Sequence, residues 1–220
     1  MHLATIASGV ICNKLPILRD LSNTLMYGLL APRSYERIWI QPRDCTQSIH
    51  SKYVANIDPN YCSAFVVDDW PISNVTPTIE LPRIDFCIKH WQDGHSWEST
   101  GAYTRIREKI IRGFPSDHGI ITEHDIVSRY QKLDSIFNKI KAEGKFMLRG
   151  DLIPGNFREK GSVLIHLGPN GVPFFGLKGH HRFAIAYILG IPIPAQIGIV
   201  HVSALGVLEK MRHKSTALSF

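Results

Sequence analysis

Between Phe174 and Leu189 the chain reads FFGLKGHHRFAIAYIL. A short apolar run gives way to Gly176, Lys178 and Gly179. His180, His181 and Arg182 follow at once, and then a stretch of helix-forming apolar residues. A glycine turn and three cationic or protonatable side chains therefore stand at the start of a helix. The first N–H groups of a helix lack intrahelical partners, and its dipole adds positive potential there. Such a terminus suits phosphate or another anion. Arg182 is permanently charged, and its planar fork matches phosphate oxygens. His181 could donate to the same anion, with a charge that follows pH. His180 is divided between that role and capping or packing. Gly176 and Gly179 allow close backbone approach, and Lys178 either adds charge or is simply solvated. Taken alone, Gly179-His180-His181-Arg182 reads equally well as a polar helix cap. The flanking elements favour the phosphate reading.

Phosphoryl transfer at such a cradle also requires a metal or a carboxylate base. The candidate acids are Asp44, just past an early strand, and Asp151 and Glu159, in a long loop. Each also reads as an ordinary surface carboxylate. Cys87-x-x-His90 with His95 matches no compact zinc site and lacks a fourth ligand. His166 and His201 read as structural, although His201 ends a strand, where α/β sheets often meet a ligand. Trp91 and Trp97 read as buried packing in preference to base-stacking platforms.

Several elements must position these residues. Leu15 to Leu30 is helical in pattern, with Pro16 in its first turn and Pro32 beyond its end. Glu36 to Gln41 alternates as a strand does. Cys45 to Glu80 is rich in Ser, Asn, Asp and Pro and predicts loops and short strands, Ala64 to Val67 among them. Ile84 to Ile88 predicts another short strand. A helix is expected from Gly101 to Arg112, capped by Ser99 or Thr100 and ended by Gly113 and Pro115. Thr122 with Asp125 resembles a capping box. Behind it Ile126, Tyr130, Leu133, Phe137 and Ile140 recur at helical steps, and Gly144 supplies the stop. Lys145 to Gly161 predicts a long loop of the kind that serves as a lid or binding loop. Gly168-Pro169-Asn170-Gly171 joins Ser162–Leu167 to Val172–Phe175 as a hairpin. The motif helix runs from about His181 to Leu189, stopped by Gly190, and is apolar almost all round, which predicts burial on several sides. Ala195 to His201 is a final strand, and Ser203 to His213 a short helix.

This order carries a resemblance. Strand, Gly-x-[His/Arg]-Arg, apolar helix, then Leu189-Gly190-Ile191-x-x-Pro194-Ala195 and a strand resembles the ParB/sulfiredoxin superfamily. That superfamily includes the ParB chromosome-partition CTPases, the ATP-using sulfiredoxins and a group of free-serine kinases, whose motif binds nucleotide phosphates. The resemblance implies an α+β fold, a small mixed sheet with packed helices. Residues 1–35 would be an N-terminal extension, 36–203 the ParB/sulfiredoxin-like domain with a large insertion at about 45–120, and 204–220 a tail. It also implies nucleotide binding, with phosphoryl transfer or NTP hydrolysis of the kinase or NTPase type and Mg²⁺ with ATP or CTP. The serine kinases place a catalytic acid near their first strand, which draws notice to Asp44 and Glu36. Where sulfiredoxins carry their nucleophilic cysteine this chain has His180, which excludes sulfinic-acid reduction. His180 and His181 replace the Glu and first Arg of the ParB Gly-Glu-Arg-Arg, which argues against CTP turnover. The Gly-His-Thr-Arg form of the serine kinases is closest. Two alternatives stand beside this reading: a DNA-binding or nuclease-like module of the ParB-like class, and a non-catalytic scaffold.

Bulk properties bound these readings. At 220 residues, 44% hydrophobic and 20% charged, the chain is globular in composition and long enough for a real core. Its net charge of +6 suits an anionic partner, nucleotide or nucleic acid. Cys12, Cys45, Cys62 and Cys87 are far apart and read as reduced thiols. Met1 to Cys12 lacks the basic start of a signal peptide. No run approaches the length of a membrane span, so a cytoplasmic protein without a membrane partner is expected.

Overall fold

The computed structural model describes residues 15–113 and 120–213. Pro115, Cys12 and the Met1–Cys12 stretch, on which sequence expectations fall, lie outside them. Eight helices and seven strands are described: α1 (Pro16–Tyr27), β1 (Arg37–Ile40), β2 (Gln47–Ile49), α2 (Ser51–Ala55), β3 (Val66–Val67), β4 (Val75–Pro77), α3 (Pro82–Trp91), α4 (Ala102–Ile111), α5 (Glu123–Glu143), α6 (Arg149–Leu152), β5 (Val163–Leu167), β6 (Pro173–Phe175), α7 (His180–Leu189), β7 (Ile193–His201) and α8 (Leu205–Met211). The class is α+β, as the sequence implies.

The strands form one mixed sheet in the order β1-β7-β5-β6-β2-β4. β7 runs parallel to β5 and antiparallel to β1, while β3 takes up the far end of β7 in parallel. The expected hairpin is β5 and β6, with Ile165 opposite Phe175. Side chains alternate across the pleat. From β5, Val163, Ile165 and Leu167 enter the larger core with Ile84, Ile126, Phe137 and Phe183 of the helices. Leu164 faces the other way, into a smaller core with Ile49, Cys62, Trp70, Phe174 and Ile199. Both faces of the central strands are thus covered, which is why β5 and β7 read as near-continuous apolar runs.

Register shifts between β5 and β7 after Ile165. There the fully buried His166 replaces a ladder bond: its Nδ1 accepts the Ile199 N–H at 2.9 Å. The ring fits because its neighbours are glycines. A Cβ on Gly198 would stand 2.2 Å from Nδ1, and one on Gly176 2.9 Å from Nε2.

Thr122 and Asp125 form the expected capping box of α5, and Gly144 ends that helix in the left-handed conformation. Two local expectations are corrected. Ile84–Ile88 is helical, inside α3, with Pro82 in the first turn and Asp85 beside it. Burial of Ile84 and Cys87, three residues apart, follows helical spacing against α7 and overrides the strand-like look of so short a run. The N-cap of α4 is Gly101 at φ 89°, and neither Ser99 nor Thr100 occupies that position. Thr100 contributes from just outside, its Oγ1 accepting the Ala102 N–H at 3.3 Å. The 145–161 segment is mostly irregular, interrupted by the single turn of α6.

Candidate functional site

The motif helix α7 is held at both ends. Gly179 is its N-cap at φ 80°, and Gly190 its C-cap at φ 67°. A Cβ on Gly179 would lie 2.9 Å from both Cα and Cγ2 of Val163, so glycine is required for the helix start to rest on β5. At the C-terminal end the Arg43 guanidinium donates to the Tyr187 carbonyl at 3.3 Å, where a cation complements the helix dipole. Among the described residues no side chain caps the N-terminal end. The positive end of the helix dipole lies there and favours an anion.

That end opens into a cleft of about 630 Å³ between α7, the first turn of α3 and one face of α5. Gly179, His180, His181 and Arg182 line it on one side, and Arg83 on another. From α5 come Asp125, Ser128, Arg129, Lys132, Leu133 and Ile136, a row at three- and four-residue steps beside the helix's core stripe. Ile120 completes the wall. Four permanently or normally charged cations therefore surround the helix start. Among the described residues one carboxylate faces them, and one of its oxygens serves the helix cap: Asp125 Oδ2 accepts the N–H and O–H of Thr122, both at 2.8 Å, and the Ile121 N–H at 3.1 Å. These bonds hold the Asp125 carboxyl below its ordinary range. Arg83, Arg129 and His181 also line a smaller adjoining hollow, which Arg105 enters from α4.

Arg182 is largely buried. Its Nη2 donates to the Met147 carbonyl at 3.0 Å, and its guanidinium carbon lies 5.6 Å from the Phe146 ring centre. Nε and Nη1 are buried without a hydrogen-bond partner. Burial pulls its pKa down, the Glu159 carboxylate opposes this, and Arg149 adds to it. Two unmatched donors on a buried guanidinium are costly unless something accepts from them.

The other motif residues do different work. Gly176 packs, because a Cβ there would meet Leu164 Cγ at 2.6 Å. Lys178 lies outside the lining of the cleft, bonded to the Asn60 side chain, with its pKa lowered by burial. The three candidate acids also stand apart from the cleft. Asp44 lines an apolar groove of about 430 Å³ with Trp39, Gln41, Val207 and Met211, where burial pushes its carboxyl up. Asp151 and Glu159 line a separate cavity of about 380 Å³, with Arg33, Arg37, Arg158 and Arg212. There Asp151 accepts the Leu148 N–H at 3.3 Å and closes the turn of α6. Glu159 is fully enclosed, accepts the Arg149 N–H at 3.1 Å, and has its pKa raised by burial against the pull of that bond, Ser162, Arg182 and Arg37. It interacts electrostatically with Arg182 of the motif.

No group of three or more metal-ligating side chains occurs among the described residues. Cys87 is buried, and both ring nitrogens of His90 are engaged, Nδ1 by the His95 carbonyl at 2.6 Å and Nε2 by Asp134 at 3.1 Å. Asp134 also accepts the indole N–H of Trp91 at 2.9 Å and of Trp97 at 3.1 Å. Both indoles are thus tied into packing around α5, Trp91 stacked on Phe137 at 4.7 Å.

Sequence reasoning found the contiguous half of the cleft and missed Arg83, Arg129 and Lys132. The available signal was the α5 row Asp125, Ser128, Arg129, Lys132 and Ile136, which periodicity alone assigns to solvent. Comparison with protein-family models, with curated proteins and with solved structures finds no match to this chain.

Proposed function

We propose that the chain is a nucleotide-binding protein of the ParB/sulfiredoxin type, whose α5–α7 cleft receives the phosphates of a nucleotide. The observation that carries this reading is the gathering of Arg83, Arg129, Lys132 and Arg182 from three helices around the start of α7. A volume of about 630 Å³ falls in the range of small-molecule sites. Ile120, Leu133 and Ile136 offer an apolar wall for a base or sugar beside the charged floor. The succession of amphipathic helix, hairpin, motif helix and strand follows the order that the resemblance implies.

Binding is the core of the reading, and phosphoryl transfer or hydrolysis is its extension. Of the acids considered, Glu159 is best placed to influence the reaction, through Arg182. Among the described residues the cleft offers Mg²⁺ no group of three ligands, and Asp125, the carboxylate that lines it, holds the helix cap through Oδ2. No step is therefore routed through a metal.

Isothermal titration with ATP, CTP and GTP, with and without Mg²⁺, is the test. At least one nucleotide should bind wild type, and Arg129→Ala and Arg182→Ala should each weaken it by roughly 10- to 100-fold, the worth of one charge-assisted contact. Absence of binding to all three, or unchanged affinity in both variants, overturns the reading. Nucleic acid is the alternative, favoured by the extension of the cationic surface to Arg105. It predicts a gel shift that weakens steeply across a salt series.

A further inference from the structure

Helix α1 is built inside out. Arg19, Asp20 and Asn23 face the protein and most of its apolar residues face solvent. Arg19 and Asn23 are 6% and 7% exposed. Arg19 Nη1 donates to the carbonyls of Tyr61 (3.0 Å) and Ser63, and its guanidinium lies 4.2 Å from the centre of the Phe65 ring. Asn23 Nδ2 donates to the carbonyls of Pro32 and Ala64, both at 2.9 Å. Asp20 accepts the Ser34 N–H at 2.6 Å and pairs with Arg158 at 2.7 Å. These bonds fix which side of the helix points inward. Ile17, Leu21 and Leu25, spaced by four, are left 76%, 57% and 78% exposed, with Leu18 and Met26 beside them at 40% and 68%, and Leu29, in the 3₁₀ turn that follows Gly28, is 87% exposed.

We propose that this stripe is a homodimerisation surface, on which two copies of the chain pack α1 against α1. Three observations select a second copy as the occupant. The first is area. The apolar surface left open along α1 and the turn that follows it amounts to several whole side chains, on the order of 800 Å², which is what each partner gives to a standard-size interface and more than a monomer usually leaves exposed. The second is shape. The ridge of Ile17, Leu21 and Leu25 at i, i+4 and i+8 packs into the groove of an identical ridge at a crossing angle near −50°, so the surface is complementary to itself about a two-fold axis. The third is charge. Arg19 and Asp20 are the charged residues of α1, and both are engaged inward. Two copies therefore meet without like-charge contact on this helix despite the net charge of +6. A membrane-surface helix instead carries Lys and Arg on its polar face, free to meet lipid headgroups.

Sedimentation velocity of the full-length chain, from about one to several hundred micromolar, tests this. Wild type should approach twice 24.8 kDa. Leu21→Glu with Leu25→Glu should sediment as a monomer, with the dimer dissociation constant raised roughly 100-fold or more, because symmetry places every substitution at the contact twice. Leu25→Lys provides the same readout from a single exposed site, and circular dichroism verifies that each variant is folded. A wild-type monomer throughout the range overturns the proposal, as does a dimer that survives both substitutions. So does a monomer that floats with phosphatidylcholine–phosphatidylserine vesicles, which would make the stripe a lipid-facing surface.

Discussion

Gly179 stands in a motif where glycine is usually credited with letting phosphate approach the backbone, yet the structure gives it a second duty that can be measured separately. Gly179 and Gly144 both close helix ends at positive φ, 80° and 62°. They differ in space. Nothing lies within 4 Å of a Cβ on Gly144, whereas one on Gly179 meets Val163 Cα and Cγ2 at 2.9 Å. Alanine at either site carries the left-handed penalty of about 1–2 kcal/mol, offset in part by lower entropy of the unfolded chain. Gly144→Ala should therefore destabilise by about 1 kcal/mol. Gly179→Ala adds an overlap with strand backbone that cannot rotate away, about 1–3 kcal/mol more. In a chain of this length each kcal/mol shifts Tm by about 2–4 °C. The expected losses are thus about 3 °C for Gly144→Ala and about 6–12 °C for Gly179→Ala, measured by thermal melts and urea titration side by side. Equal losses would refute the argument that β5 contact demands this glycine. The comparison also governs how binding data are read: a weak-binding Gly179→Ala protein would report a displaced helix, so Arg129 and Arg182 are the proper probes of phosphate contact.

Three further outcomes are expected. Asp134→Leu removes the acceptor shared by Trp91, Trp97 and His90 and should cost about 2–4 kcal/mol in tryptophan-monitored urea unfolding; a loss under about 1 kcal/mol would show the network to be inessential. His166 has its pKa drawn down to about 3, by burial first and His50 second. Above pH 6.5 both folded and unfolded states keep it neutral; below that the unfolded chain binds the proton and the fold does not, so stability falls as pH drops from 6.5 toward 3, by up to about 1.4 kcal/mol per pH unit. His166→Leu should flatten that part of the pH profile while lowering stability at pH 7 by about 1–3 kcal/mol, because the Ile199 N–H loses its acceptor; an unchanged slope between pH 6.5 and 5 contradicts the assignment. Lys132→Ala should weaken nucleotide binding less than Arg129→Ala does and should reduce its salt dependence, since Lys offers a point charge where Arg offers a fork; titrations at two salt concentrations decide this.

The elements that a local rule can specify were legible in the sequence. The Thr122–Asp125 box, the Gly144 stop, the Asn170-Gly171 hairpin and the Gly179–Leu189 helix each announce themselves within a few residues. Ile84–Ile88 misleads because five apolar-rich residues fit either period, and the choice was made by contact with α7, more than ninety positions away. The cleft divides in the same way. Its contiguous side, Gly179 to Arg182, is visible as a motif. Its far side comes from α3 and α5, where Arg83, Arg129 and Lys132 have the spacing of any solvated face. Asp44, Asp151 and Glu159 attract attention as acids near the right elements, but proximity in sequence to a strand or loop does not specify which cavity a side chain enters. The inverted polarity of α1 was also hidden, since a helical pattern of leucines says that one face is apolar without saying which way it turns.

The position of β7 has a consequence for the order in which the chain can be completed. β7 comes after every other strand in sequence, yet it lies between β1 and β5, and β1 has no other hydrogen-bonded neighbour in the sheet. Arg37 must wait for Gln196, and Val66 for Val200. At ribosomal rates of 5–20 residues per second, β1 emerges roughly ten to thirty seconds before its partner. Vectorial synthesis can therefore pair β2 with β4 and β5 with β6, but cannot join β1 and β3 to the sheet until β7 is made. The half-made sheet carries open strand edges, and the nascent chain should depend on chaperone shielding until Ile193–His201 has left the ribosome.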